Sequence, residues 1–402
     1  MDRSAQPQLR LAVIGVGQRA AILHHATDGS DGGVAVLAVA DSSPLGRETA
    51  RTLFGRDVAI HASHTDLIAA GGVDAAFVLT PDATHARIAI DLLRAGIAVY
   101  LEKPLAITVA DCDAVLAAAM ETGTVLYVGH NFRHAPVVTL LRDIIRRGEI
   151  GEVKAIWCRH FVGNGGDYYF KDWHADRRAT NSLLLQKGSH DLDVIHYLAG
   201  GYGRRVVAMG ALALYGSITD RADRSGQRMT DWFSMDNWPP LAQTGLNPVV
   251  DVEDVSMLLL ELDNGVTASY QQCHFAPDYW RNYTVIGTEG RVENFGDTVG
   301  SIVKVWNRRH DFAASGDAEY TVGGLAAGHV DADRLTVTEF IDLLRTGAST
   351  ATSPVAARYA AAVGALAAQS LRNGSVPIDV PPLPADLVSY LERSTIHRSS
   401  QQ

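Results

Sequence analysis

From Leu9 to Val128 the chain alternates short apolar runs with amphipathic stretches. Leu9–Ile14, Val34–Ala40, Asp57–Ile60, Ala75–Leu79, Ala98–Leu101 and Val125–Val128 read as strands. Val34–Ala40 is apolar without interruption, as expected of a strand covered on both faces. Helices are predicted from the first turn through Thr27, at Pro44–Phe54 with proline suited to its first turn, and at Thr84–Ala95 and Val109–Thr122. Strands alternating with helices imply parallel crossovers, and hence an α/β fold with a doubly wound parallel sheet.

After Gly129 the texture changes. Pro136–Arg147 reads as an amphipathic helix ended at Gly148, Val153–Phe161 as a strand and Leu183–Leu198 as a helix. Val206–Tyr215, Val252–Leu262, Val266–His274, Tyr283–Ile286 and Ser301–Trp306 are strand-like runs without helices between them, which predicts a largely antiparallel open sheet with helices on one face. Helices Val337–Arg345 and Val355–Leu371 follow. Ser217–Pro248 is polar, rich in Asp, Trp and Pro, and long for a passive connection; it is either a substrate lid or oligomer arm, or a surface insertion. The predicted units are a nucleotide-binding domain over 1–130, a substrate-binding and oligomerisation domain over 131–385, and a tail over 386–402.

Composition narrows the classes. At 402 residues there is room for two cores. With 47% hydrophobic and 20% charged residues, the chain resembles ordinary soluble proteins. A net charge of −10, without a Lys/Arg block, argues against a nucleic-acid surface. No apolar stretch approaches the roughly 20 residues that span a bilayer, and the polar residues 1–10 do not form a signal peptide. Cys112, Cys158 and Cys273 make neither a zinc pattern nor a disulfide framework, so a cytoplasmic protein with reduced, buried thiols is expected. Among the 15 histidines, His24-His25, His61 with His64, and His190-Asp191 with His196 lie closest together. None has zinc-ligand spacing with a supporting third residue, and no metal is expected.

The first strand runs into Gly15-Val16-Gly17-Gln18-Arg19-Ala20. Two glycines allow a tight turn and a close approach of main-chain N–H groups to a pyrophosphate, while alanine keeps the helix close to the strand. Asp41 ends the second strand, where a carboxylate accepts hydrogen bonds from both ribose hydroxyls of NAD and opposes the 2′-phosphate of NADP. Ser42-Ser43 supplies no cation for that phosphate, although Arg47 is near in sequence; Asp41 also suits a helix cap before Pro44. Thr80-Pro81 with His85, and Glu102-Lys103-Pro104, end the fourth and fifth strands on the same side, where ligands bind in such sheets. A lysine there can donate to a substrate oxygen and stabilise alkoxide charge.

These elements resemble the Gfo/Idh/MocA family of NAD(P)-dependent oxidoreductases. The matching pieces are Gly15-Val16-Gly17, Thr80-Pro81-Asp82-Ala83-Thr84-His85, Ala95-Gly96, Glu102-Lys103-Pro104-Leu105 and Gly129-His130-Asn131-Phe132-Arg133, with Thr288-Glu289-Gly290-Arg291 further on. The resemblance implies a Rossmann domain followed by an α/β domain, with Lys103 assisting proton transfer. It also implies a second cluster of pattern Asp-x-Gly-x-His-x-x-Asp. Here the segment is Gln186-Lys187-Gly188-Ser189-His190-Asp191-Leu192-Asp193, so Gln186 departs from the pattern. His190 is the candidate general base, one helical turn beyond Gln186. Asp193 is a structural or orienting partner, or a substrate contact.

The expected cofactor contacts are therefore Gly15, Gly17, Gln18, Arg19, Ala20, Asp41, Ser42, Thr80, Pro81, His85, Glu102, Lys103, Asn131 and Arg133. Candidate substrate contacts are Gln186, Asp193, Tyr168, Trp173 and His174. The aromatic and basic run Asp167–His174 suits sugar faces or a domain interface, and Tyr270–His274 with Tyr279–Asn282 raises the same choice. The expected activity is hydride transfer between NAD and a secondary hydroxyl or ketone of a sugar, cyclitol or derivative. The alternatives are a redox-neutral NAD-using glycosidase or lyase, and a non-catalytic NAD-binding regulator. The resemblance also implies a homodimer or homotetramer formed through the outer face of the C-terminal sheet.

Overall fold

The computed structural model describes residues 7–27, 33–324 and 329–396. Its first sheet contains β1 (Leu9–Ile14), β2 (Val34–Ala40), β3 (Ala59–His61), β4 (Ala75–Val78), β5 (Ala98–Leu101) and β6 (Leu126–Val128). All pair in parallel, in the order β3-β2-β1-β4-β5-β6. The order reverses between β1 and β4, and Ile14 pairs with both Ala40 and Val78. The carboxyl ends of β1, β2 and β4 therefore lie side by side, and the crevice of a doubly wound sheet opens there.

One face of this sheet packs on the helices His85–Arg94 and Val109–Thr122 through Leu92, Leu93, Val115 and Leu116. The other face is closed by the helix His329–Thr346. Phe340 from that helix meets Phe77, Tyr100 and Tyr127, with ring centroids 5.4–5.6 Å apart. A C-terminal helix thus completes the N-terminal core.

The second sheet holds β7 (Val153–Phe161), β8 (Gly203–Ala211), β9 (Val255–Leu262), β10 (Thr267–Cys273), β11 (Trp280–Gly287), β12 (Arg291–Phe295), β13 (Ile302–Trp306), β14 (Ala318–Thr321) and β15 (Ile378–Asp379). Their order is β14-β13-β12-β11-β7-β10-β9-β8-β15, and only β7 and β10 pair in parallel. The helices Gly188–Ala199 and Pro354–Arg372 cover its inner face. Alternate positions turn outward and leave Trp157, Met209, Met257 and Leu259 exposed.

The helix Pro354–Arg372 serves both cores. Val355, Ala357, Ala361 and Ala365 join the first, while Ala360, Ala362, Val363 and Leu366 join the second. Its run of alanines lets the backbones approach closely, and a Cβ at Gly364 would lie 2.7 Å from Leu185 Cα.

Several boundaries differ from expectation. The strand predicted at Asp57–Ile60 is Ala59–His61, and the helix His64–Ala70 was masked in sequence by its short, weakly apolar run. The turn after β1 leads into a 3-10 segment, Gln18–Leu23, before the helical turn His24–Thr27. Ser43, not Asp41, caps the helix Pro44–Phe54: its side chain accepts from Gly46 N. The segment expected as a tail from 386 contains the helix Ala385–Ile396, whose Leu387 and Leu391 are buried against the first core. Residues 397–402 lie outside the described residues. Ser217–Pro248 contains short 3-10 turns and pairs Arg221 with Leu246.

Candidate active site

The glycine turn has the stereochemistry its sequence requires. Gly15 has φ +89°, and a Cβ there would lie 2.8 Å from Thr80 Cγ2, so only glycine fits. At Gly17 a Cβ would find no atom within 4 Å, leaving open space beside the main chain. Ala20 is fully buried. This turn therefore has room for a dinucleotide to approach the backbone.

Asp41 braces that turn. Its Oδ2 accepts from Val16 N at 2.7 Å, and its Oδ1 from Ser43 N at 2.8 Å and Ser43 Oγ at 2.9 Å. Oδ1 is filled by its two donors, while Oδ2 retains acceptor capacity for a ribose hydroxyl. Arg47 donates to the carbonyls of Asp41 and Ser42 at 2.8 and 2.9 Å, which holds it beside the same strand end.

Arg19 lies against Glu102 and Asp333. Its Nε donates to Glu102 Oε1 at 2.7 Å, and its Nη1 and Nη2 donate to Asp333 at 2.7 and 3.0 Å. Asn131 Nδ2 donates to Asp333 Oδ1 at 2.7 Å. Arg19 and Asn131 thus tie the glycine turn, β5 and the helix His329–Thr346 into one network. Gln18 Oε1 accepts from Tyr168 Oη at 3.0 Å, linking the turn to the second domain.

His85 is fully buried, with Nδ1 2.7 Å from Pro104 O and Nε2 2.8 Å from Thr80 O. It clamps the ends of β4 and β5 from below, while Thr80 Oγ1 accepts from Thr84 Oγ1 at 2.7 Å. Burial lowers the pKa of His85, opposed by these carbonyls.

Lys103 reaches across the domain boundary and donates to the main-chain carbonyl of Gln186 at 2.9 Å. Burial lowers its pKa from the usual lysine value, opposed by the carboxylates of Asp82 and Glu102. Asp82 is also buried and accepts from Thr180 Oγ1 at 3.1 Å. Burial raises its pKa, against the pull of Lys103. His190, one turn along from Gln186, is 6% exposed, and its ring centroid lies 5.2 Å from that of Phe132. Gln186 Oε1 is buried and accepts no hydrogen bond among the described residues.

Arg133 and Asp193 form a pair rather than facing the crevice. Two 2.7 Å hydrogen bonds join them, and Arg133 also donates to Ala351 O at 2.6 Å. Both are buried, and their hydrogen-bonding groups are engaged in fixing the helix Gly188–Ala199 to the segment after β6. Beneath the same helix, Asp191 is fully buried between Arg281, His160 and Tyr283. Burial alone would raise its carboxyl, but Arg281 leads the interactions that hold it well below the usual range.

Tyr168, Tyr169, Trp173 and His174 form one aromatic wall. Trp173 stacks on His174 at 3.8 Å, and His174 lies 5.0 Å from Tyr168 and 5.2 Å from Tyr169. Burial, then Lys103 and Lys187, keeps the His174 pKa well below the ordinary value, so a neutral ring faces this region. Among the described residues, no group of three or more His, Cys, Asp or Glu side chains could hold a metal ion, and no helix is long and apolar enough to cross a membrane.

The sequence singles out Lys103 and His190, and the Lys103 bond to Gln186 O lies one helical turn from His190; Asp82, Lys187, Asp191 and Arg281 are not among its candidate site residues. Asp82 lies within the Thr80–His85 motif, and its partner Thr180 comes from the other domain. The importance of Arg281 and Asp191 comes from β11 and the helix crossing, which periodicity does not show.

Known proteins agree with this architecture. Residues 9–130 match the NAD-binding Rossmann fold of the Gfo/Idh/MocA oxidoreductase family, and residues 142–380 match that family's C-terminal alpha/beta domain. The chain belongs to this family, and its first domain is an NAD-binding domain. Inositol 2-dehydrogenase 1 of Saccharopolyspora erythraea is 33% identical over 191 residues, covering 47% of this chain and 54% of that protein. The chain spans about half the length of such curated relatives. Among solved structures, levoglucosan dehydrogenase in complex with NADH and levoglucosan superposes with TM-score 0.74 at 20% identity, covering 93% of this chain and 100% of that one. The WlbA dehydrogenase from Bordetella pertussis, in complex with NADH and UDP-GlcNAcA, gives 0.71 at 19% identity, covering 94% and 98%. At these identities the structural likeness concerns the fold.

Proposed function

We propose that this chain is an NAD-dependent dehydrogenase acting on a secondary hydroxyl, or in reverse the ketone, of a sugar, cyclitol or sugar derivative. The observation that carries this reading is the 2.9 Å hydrogen bond from Lys103 to Gln186 O. It joins the strand edge beside the glycine turn to the helix start that carries His190. NAD, held along Gly15, Gly17 and Asp41, supplies the hydride acceptor. Lys103 and His190 take the hydroxyl proton during oxidation and return it during reduction. Lys103 also stabilises negative charge on the substrate oxygen, in a setting where burial strengthens that interaction. Asp82 tunes Lys103, while Arg133 and Asp193 position the helix that bears His190.

NAD is favoured over NADP because the Asp41 carboxylate stands where a 2′-phosphate would add negative charge. Inositol and levoglucosan dehydrogenases among its relatives and fold neighbours support a polyol or sugar substrate. Two copies or four would associate through the outer face of the second sheet, where Trp157, Met209, Met257 and Leu259 are exposed. Three unpaired cysteines support a cytoplasmic setting. Calorimetric titration with NADH tests the reading: saturable binding is expected, and no binding would sink it.

A further inference from the structure

Lys187 sits between the two helical segments of the second motif, directly after Gln186. It is 7% exposed, and its Nζ lies 5.7 Å from the ring centroid of Tyr169 and 5.6 Å from that of Tyr279. Among the described residues these rings are its close partners, and Nζ makes no hydrogen bond or ion pair. The other cations nearby have direct polar partners. Lys103 donates to Gln186 O at 2.9 Å. Arg281 lies 2.7 Å from Asp191 and 3.1 Å from Asp297. Lys187 feels Asp191 and Asp297 without touching either.

A buried ammonium with no carboxylate in direct contact is costly, and the fields of Asp191 and Asp297 with two aromatic faces offset only part of that cost. An anionic ligand group would supply the rest. The position suits a ligand. Lys187 directly follows Gln186, whose carbonyl accepts from Lys103 Nζ, so both lysines stand at the start of the helix that carries His190. Tyr279, whose ring Lys187 Nζ approaches, is 44% exposed.

We propose that Lys187 determines specificity by taking a carboxylate on the substrate, so that uronic or aldonic acids are preferred to neutral sugars. This rests on reading the crevice as a sugar-dehydrogenase site. Burial, followed by Arg281, lowers Lys187 to about 7. A bound carboxylate favours its charged form, so binding above neutrality draws in a proton.

The test measures binding of D-glucuronate, D-galacturonate and D-gluconate, each against D-glucose or D-galactose, to the NADH-loaded protein by calorimetry. At least one acid should bind about tenfold more tightly than its neutral counterpart, a difference of about 1.4 kcal/mol. Lys187→Gln should abolish that preference, and Lys187→Arg should restore part of it. At about pH 8, enthalpies in buffers of different ionisation heat should show proton uptake for the native protein and none for Lys187→Gln. Equal or weaker binding of the acids, failure of every acid to bind, or a preference that survives Lys187→Gln would overturn the proposal. If NADH itself does not bind, the dehydrogenase reading fails, and the same titrations on the unloaded protein still decide the role of Lys187.

Discussion

Asp82, buried, and Lys103, partly buried, lie in each other's field at the carboxyl ends of adjacent strands, one carboxylate and one ammonium drawn from β4 and β5 loops. Burial disfavours the charged form of each, and each supports the other's charge. Asp82→Asn removes the negative member, so the pKa of Lys103 falls further. The acidic limb of the pH profile of kcat/KM for oxidation should move to lower pH by about one unit. A limb that stays in place would assign it to His190 or another group.

Asp193→Asn separates charge from structure. The variant leaves the Arg133 guanidinium buried without its carboxylate partner. Breaking such a pair costs about 3–5 kcal/mol, so the urea midpoint of unfolding should fall markedly. NADH affinity in the folded fraction should change little, because Arg133 is occupied by Asp193 and Ala351 rather than by the crevice.

Acid should destabilise the fold from about pH 6.5 downward. Burial, with Arg281 adding to it, holds His160 at about 3, and burial holds His196 at about 4. Both are fully or almost fully buried. Unfolded histidines titrate near 6.5, so below that value the unfolded chain binds more protons and stability falls with pH. The stability that these two histidines contribute is complete above about pH 6.5 and is lost as pH falls towards 4 and 3. Thermal unfolding between neutrality and about pH 4 should show a continuous fall in Tm. His160→Gln should flatten it.

The exposed apolar face of the second sheet gives an assembly prediction. Leu259, 62% exposed, lies beside Met257 on β9. Leu259→Glu places a charge in the proposed contact and should shift the sedimentation coefficient to that of a single chain with circular dichroism unchanged. A native protein that already sediments as a monomer would contradict this assembly.

Much of the fold was legible in the sequence because β1, β2 and β5 are nearly continuous apolar runs and the glycine turn follows the first of them. Lys103 was legible because Glu and Pro flank it at a strand end. What stayed hidden depends on contacts between distant segments. Phe340 completes the first core from far along the chain, and the helix Ala385–Ile396 buries only a few leucines, too sparse a stripe to separate from a tail. Arg133 and Asp193 were each visible as polar residues in matching motifs, but their mutual bonding is a property of the folded crossing. Asp41 was expected to meet ribose; its bonds to Val16 and Ser43 also make it a brace for the turn.

Lys103 and His190 are proposed to handle the proton together in an NAD-linked oxidation of a sugar-like hydroxyl. The most direct measurement is NADH formation across a panel of sugars, cyclitols and sugar acids, comparing native protein with Lys103→Met and His190→Asn. Net NADH should appear with at least one substrate, and each variant should lose about 100-fold or more in kcat while still binding NADH. No net NADH with any substrate, or a variant that turns over at the native rate, would contradict it.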